Sequence, residues 1–144
     1  MLNEECENTF GDNDPLDVVE VGTEALACGS VTPVRILGAL GLIDCGELDW
    51  KLIAVNTHDP LVTVHGVKDL QDLSRVLPHH VDGIREWFRW YKRPDGKSLN
   101  EYALQGRAVD REGALEVVRE THSQWKRLLQ DGGRVTDTKQ LWVK

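Results

Sequence analysis

The chain has 144 residues, of which 40% are hydrophobic and 28% charged, with a formal net charge of −7. That length suits one domain with room for a real core. The acidic balance argues against nucleic acid as a partner, since its binders carry a basic patch or stripe. No apolar run approaches the ~20 residues that span a bilayer, so no membrane partner is expected. Cys6, Cys28 and Cys45 form no CxxC pair and are odd in number, which suits a reducing compartment, with the cytoplasm as the default.

Residues 1–10 read as a polar lead-in expected to be frayed, and neither a secretory signal nor an Arg-rich transit peptide. Gly11 to Asp17 is a turn-rich acidic loop, and Val18–Gly22 reads as a strand. Residues 29–43 read as one or two bent strands, in which Gly38 and Gly41 permit a bulge or a close backbone approach. A hairpin-like loop, 44–49, leads to a strand from Trp50 to Asn56. A short helix is expected near 69–76. From residue 81, the spacing of Val81, Ile84, Phe88 and Tyr91 predicts a helix that Pro94-Asp95-Gly96 ends. After a short strand near 102–105, the strongest helix runs over about 110–129. Asp110 is its N-cap, and Leu115, Val118, His122, Trp125 and Leu129 form one stripe. His122 is read as a hydrogen-bonded core histidine, Trp87 as a packing residue and His79-His80 as a solvated helix lead-in. Residues 132–144 are expected to be a loose tail. The class is α+β: curved antiparallel strands first, helices packed on them later.

Asp12, Asp14, Asp17, Asp44 and Asp49 invite a joint reading. Asp12 and Asp14 are two apart in an extended loop and can face one point, to which Asp17 can return after Pro15. Asp44 and Asp49 flank a four-residue loop, and Asp49 and Lys51 share a strand face. Like charges this close oppose folding unless a cation relieves them, and hard divalent cations such as Mg²⁺ prefer oxygen ligands. An Asp-rich segment is equally at home as a solvated turn, so at this level both readings stand. An EF-hand fits poorly, with neither the Gly nor the Glu its loop requires.

The order of the motifs goes further. GDNDPLDVVEVG resembles the signature of soluble inorganic pyrophosphatases of family I. It is followed by Asp44-Cys45-Gly46-Glu47-Leu48-Asp49-Trp50-Lys51, similar to the family's DxGExDWK element. Glu86-Trp87-Phe88-Arg89-Trp90-Tyr91-Lys92 with Pro94-Asp95-Gly96-Lys97 resembles its EWFRxYKxPDGK element, and Glu120-Thr121-His122-Ser123-Gln124-Trp125-Lys126 its ETHxxWK helix. The match runs from about residue 10 to about 129 and looks like the eukaryotic type.

The resemblance implies an OB-like antiparallel β-barrel, here partial, with helices outside and a C-terminal helix. It implies magnesium-dependent hydrolysis of inorganic diphosphate to two phosphates, with Mn²⁺ or Zn²⁺ as substitutes. Asp12, Asp17 and Asp49 would ligate an activating metal, with Asp17 also touching a second, and Asp44 with Asp49 would hold one that arrives with the substrate. Asp14 would orient and deprotonate the attacking water, while Lys51, Tyr91 and Lys92 would bind phosphate oxygens. The partners implied are pyrophosphate and phosphate. An acidic, phosphate-storing vacuole is the alternative to the cytoplasm. The family's early strands and their Glu, Lys, Arg and Tyr site residues find no counterpart before Gly11. Residues 1–144 are therefore expected to form a single, N-terminally truncated domain. Its exposed strand edges invite pairing with another chain, including a second copy, and it is expected to be weakly active or inactive alone.

Overall fold

Two consecutive runs of apolar residues, Val34–Asp44 and Glu47–Asn56, form the long antiparallel hairpin on which the rest is built; we number them β2 and β3. The computed structural model describes residue 11 and residues 14–130. The lead-in 1–10, the tail 132–144 and Asp12 lie outside the described residues. Between Asp44 and its partner Glu47, Cys45 and Gly46 have φ of 53° and 87°. Two left-handed residues in succession give the turn whose twist matches that of paired strands. The register shifts between Ile36 and Gly38. The expected bulge therefore sits at the glycine, and an added Cβ there would lie 2.4 Å from Leu70 Cδ1 and 2.6 Å from the Val109 carbonyl.

The short β1, Asp17–Glu20, pairs in parallel with β3, and β4, Glu101–Tyr102, pairs antiparallel with β2. The order is β1-β3-β2-β4. The α+β class with helices outside the sheet is as expected, with one refinement. The sheet is mixed, because β1 runs the same way as β3, and among the described residues it is open, with β1 and β4 at its edges.

Both faces of the hairpin are apolar at its centre. On one, Leu37, Leu40, Ile53 and Val55 pack with Val21, Leu61, Val67 and Leu73. The helices Pro60–Thr63 (α1), Leu70–Val76 (α2) and His80–Trp90 (α3) cover this face. On the other, Ala39 and Leu52 meet Ala114 of Arg111–Gln130 (α4). Capping residues start three of the helices. Asp59 accepts from the Leu61 amide, Asp69 from that of Asp72 and Asp110 from that of Gly113.

The stripe expected on α4 needs correction. The buried residues are Ala114 and Val117, with Val118 half-buried against the sheet, while Trp125 is 52% and Leu129 58% exposed. His122 is exposed and stacked on Trp125, not set in a core. Ala114 is small enough to bring the first turns of α4 onto Ala39, and burial fades further along the helix. No helix among the described residues is long and apolar enough to cross a membrane.

Candidate metal and phosphate site

Side chains two apart on a strand share a face, and directly opposed residues on antiparallel strands do too. Lys51 lies opposite Leu40, Asp49 opposite Leu42 and Asp44 two residues further along β2. Asp17 lies beside Lys51 through the parallel β1–β3 pairing. The register thus turns Asp17, Asp44, Asp49 and Lys51 to one face, the one α3 covers.

Lys51 is 3% exposed, and its Nζ lies 2.5 Å from Asp17 Oδ2 and 2.5 Å from Asp49 Oδ2. Burial pulls the Lys51 pKa down, but hydrogen bonds to Asp17 and Asp49 and their charges outweigh it, so the net direction is up. The ammonium stays charged. It sits 5.3 Å from the centre of the Phe88 ring, within range of a cation–π contact. The Asp49 side chain is 12% exposed; that of Asp17 is 62% exposed, on the solvent side.

The second group forms at the end of the hairpin. Asp44 pairs with Lys92 Nζ and accepts from the Tyr91 hydroxyl at 3.2 Å. Burial pushes the Asp44 carboxyl up, but hydrogen bonds from Lys92, Cys45 and Tyr91, with the Lys92 charge, bring it below its ordinary value. Lys92 is raised, with burial opposing and its bond to Asp44 prevailing. Tyr91 is raised, chiefly by burial and also by the Asp44 charge, while Lys92 and Lys51 pull the other way. Rings bridge the two groups: Phe88 meets Tyr91 edge-on at 5.5 Å, and Trp87 stacks on Tyr91 at 5.2 Å. Trp87, read as a packing residue, thus packs through one ring face while 59% exposed. An open cleft lined by Val19, Ile84, Trp87 and Phe88 runs between β1 and α3 beside this assembly.

Six of the residues singled out in sequence are therefore gathered: Asp17, Asp44, Asp49, Lys51, Tyr91 and Lys92. Asp14 is exposed in the bend that leads into β1. Among the described residues no three His, Cys, Asp or Glu side chains are grouped closely enough to hold a metal ion. Lysines stand between the carboxylates instead. The donor set nevertheless suits a hard cation, since it consists of carboxylates, and Asp44 Oδ1 is buried without a hydrogen-bond partner.

Sequence reasoning missed residues that tie the elements of the fold to one another. Asp59 ties Thr23 to the start of α1, and Asn100 and Tyr102 tie α3 to the sheet. Each acts on backbone groups distant in sequence, and no periodicity marks such a role.

A family model described as inorganic pyrophosphatase matches residues 2–126. The chain is 43% identical over 132 residues to an inorganic pyrophosphatase of Eremothecium gossypii, covering 92% of this chain and 45% of that protein. Its structure is similar to type I inorganic pyrophosphatase from Toxoplasma gondii, with a TM-score of 0.82 and 44% identity over 88% of this chain and 53% of the other. It is also similar to an N-terminal-domain-truncated vacuolar soluble pyrophosphatase of Trypanosoma cruzi in complex with PPi. There the TM-score is 0.80 and the identity 37%, over 88% of this chain and 49% of that one. The chain spans less than half the length of the curated relative described above.

Proposed function

This chain belongs to the inorganic pyrophosphatase family, and on that premise we propose that it carries one wall of a site for magnesium-dependent hydrolysis of inorganic diphosphate to two phosphates. The observation that carries the reading is the convergence of three carboxylates, two lysines and a phenol on the α3 face of the hairpin. Diphosphate is a dense anion, and attack on it needs its oxygens neutralised and a water deprotonated.

In this reading Asp12, Asp17, Asp44 and Asp49 hold Mg²⁺, for which Mn²⁺ or Zn²⁺ can substitute. Bound divalent ions supply Lewis acidity that eases ionisation of water and offsets phosphate charge. Asp14 orients the attacking water and takes its proton. The new P–O bond forms as the bridging P–O bond breaks. Lys51, Tyr91 and Lys92 bind phosphate oxygens and disperse the charge that builds on the leaving phosphate. The proposed compartment is the cytoplasm, with an acidic phosphate-storing vacuole as the alternative that imaging of a tagged chain distinguishes.

A second reading has its own support: a homologue that binds divalent metal but turns over weakly or not at all by itself. The chain spans 45% of a relative's length, and its sheet is open. Phosphate release from pyrophosphate and Mg²⁺, followed with malachite green, separates the two. Turnover near that of a full-length relative supports the first. Negligible turnover with retained Mg²⁺ binding by calorimetry selects the second, and absence of both overturns the site. Asp17→Ala is expected to weaken Mg²⁺ binding, and unchanged affinity would remove Asp17 from the ligand set.

A further inference from the structure

Tyr91 and Lys92 reach Asp44 only if α3 ends at the right height and angle over the hairpin. α3 has no fully buried residue to fix it there. A helix also leaves its last carbonyls without partners inside itself. Two of these, Phe88 and Arg89, are taken by one residue from outside the helix. The Asn100 carboxamide Nδ2 donates to the Phe88 carbonyl at 3.1 Å, and the Asn100 amide donates to the Arg89 carbonyl at 3.1 Å. Asn100 is 8% exposed, so little water is at hand to replace either bond.

The next residues, Glu101–Tyr102, form β4, which pairs with Leu42 and Ile43 immediately before Asp44. The Tyr102 hydroxyl adds a third tie, donating to the Arg85 carbonyl at 2.7 Å. A short rigid path thus runs from Asp44 through β4 and Asn100 to the end of α3, where Tyr91 and Lys92 follow directly.

We propose that Asn100 is a positioning residue that caps the C-terminus of α3 from the position just before β4 and thereby sets Tyr91 and Lys92 against Asp44. This deepens the functional reading by naming what aligns the phosphate-binding side of that site. It rests on that reading only for the purpose of the alignment, because the geometry itself is tested without substrate.

The test is a double-mutant cycle between Asp44→Asn and Lys92→Met, read by urea unfolding of the whole chain without metal, in the parent and in Asn100→Leu. In the parent the pair should be coupled by roughly five- to tenfold in the unfolding constant, within the usual range for residues in contact. In Asn100→Leu the coupling should fall below about twofold. A capping bond that only stabilised the chain would lower the midpoint and leave the coupling intact, and that result overturns the proposal. Asn100→Ser serves if the leucine variant does not fold, and Asp59→Asn, remote from α3, should lower the midpoint and keep the coupling. Independently of any variant, exchange of the Asn100 carboxamide protons with solvent should be slowed in the parent, and exchange at the free rate overturns the proposal. A coupling lost in Asn100→Leu, beside a parent chain that binds Mg²⁺ but releases no phosphate, would reject the diphosphatase reading and leave the positioning role standing.

Discussion

At the residue scale, Lys51 shows how a buried charge is tolerated: two carboxylates bracket it and a ring covers it. Removing one partner of such an arrangement leaves the others uncompensated. For fully buried pairs this costs ~3–5 kcal/mol. Asp17 is mostly solvated, so Lys51→Met is expected to cost about 2 kcal/mol in urea unfolding without metal. In the proposed site, saturating Mg²⁺ should restore part of that loss. Asp59 provides a pH test away from the site. Burial pushes its carboxyl up, but bonds from the Leu61 amide and from the Thr23 amide and hydroxyl bring it below its ordinary 3.8. A depressed folded-state pKa stabilises fully above the unfolded value and is lost as pH falls through the folded one. Thermal scans should therefore show Asp59 stabilising at neutral pH, with the advantage over Asp59→Asn shrinking below pH ~4. That Asp17, Asp44, Asp49 and Lys51 belong together was legible only through the order of the motifs, since spacing alone left a solvated turn as good a reading of the acidic run. Asp59 and Asn100 were not, since an aspartate before a proline or an asparagine in a loop looks the same whether or not a distant backbone amide or carbonyl meets it.

At the element scale, the long hairpin was legible from its apolar runs, but its turn is tighter than the 44–49 loop expected, because only Cys45 and Gly46 separate Asp44 from Glu47; of the two glycines offered for a bulge, Gly38 carries it. The glycine does more than bend the strand, because Leu70 and Val109 press into the space above it. Gly38→Ala is expected to destabilise by about 1–3 kcal/mol, as overpacking does, read as a lower urea midpoint with an unchanged slope. A neutral result would mean that α2 can shift at no cost. The α4 stripe was misjudged for a related reason. Periodicity marks which residues share a face, but the extent of the partner surface decides how far along that face burial continues. Small Ala114, outside the expected stripe, is fully buried against Ala39 and Leu52, and Trp125, the largest member of the stripe, remains half exposed. The parallel placement of β1 was equally hidden, since four residues of strand carry no record of which neighbour they join.

At the scale of the whole molecule, the sheet of the described residues has β1 at one edge, and beside that edge lie Val18, 49% exposed, and the cleft reaching to Trp87. An open strand edge next to apolar surface favours association. Sedimentation velocity of the purified chain is expected to show concentration-dependent self-association, reduced by Val18→Lys; a monomer at all concentrations would contradict this. The family and a partial, open-edged sheet were legible from four motifs, whereas the parallel joint between β1 and β3 emerged only once the strands were paired. The parallel joint has a further bearing, on the sequence of events during folding. The hairpin can zip from its two-residue turn, but Asp17 and Lys51 are 34 residues apart in the chain, and closing so distant a contact carries an entropic delay. The strand bearing Asp17 should therefore dock after the hairpin has formed, onto a frame already bearing Asp44, Asp49 and Lys51. Stopped-flow kinetics would register this as substitutions in β1 that chiefly hasten unfolding, while those at the Cys45-Gly46 turn slow refolding.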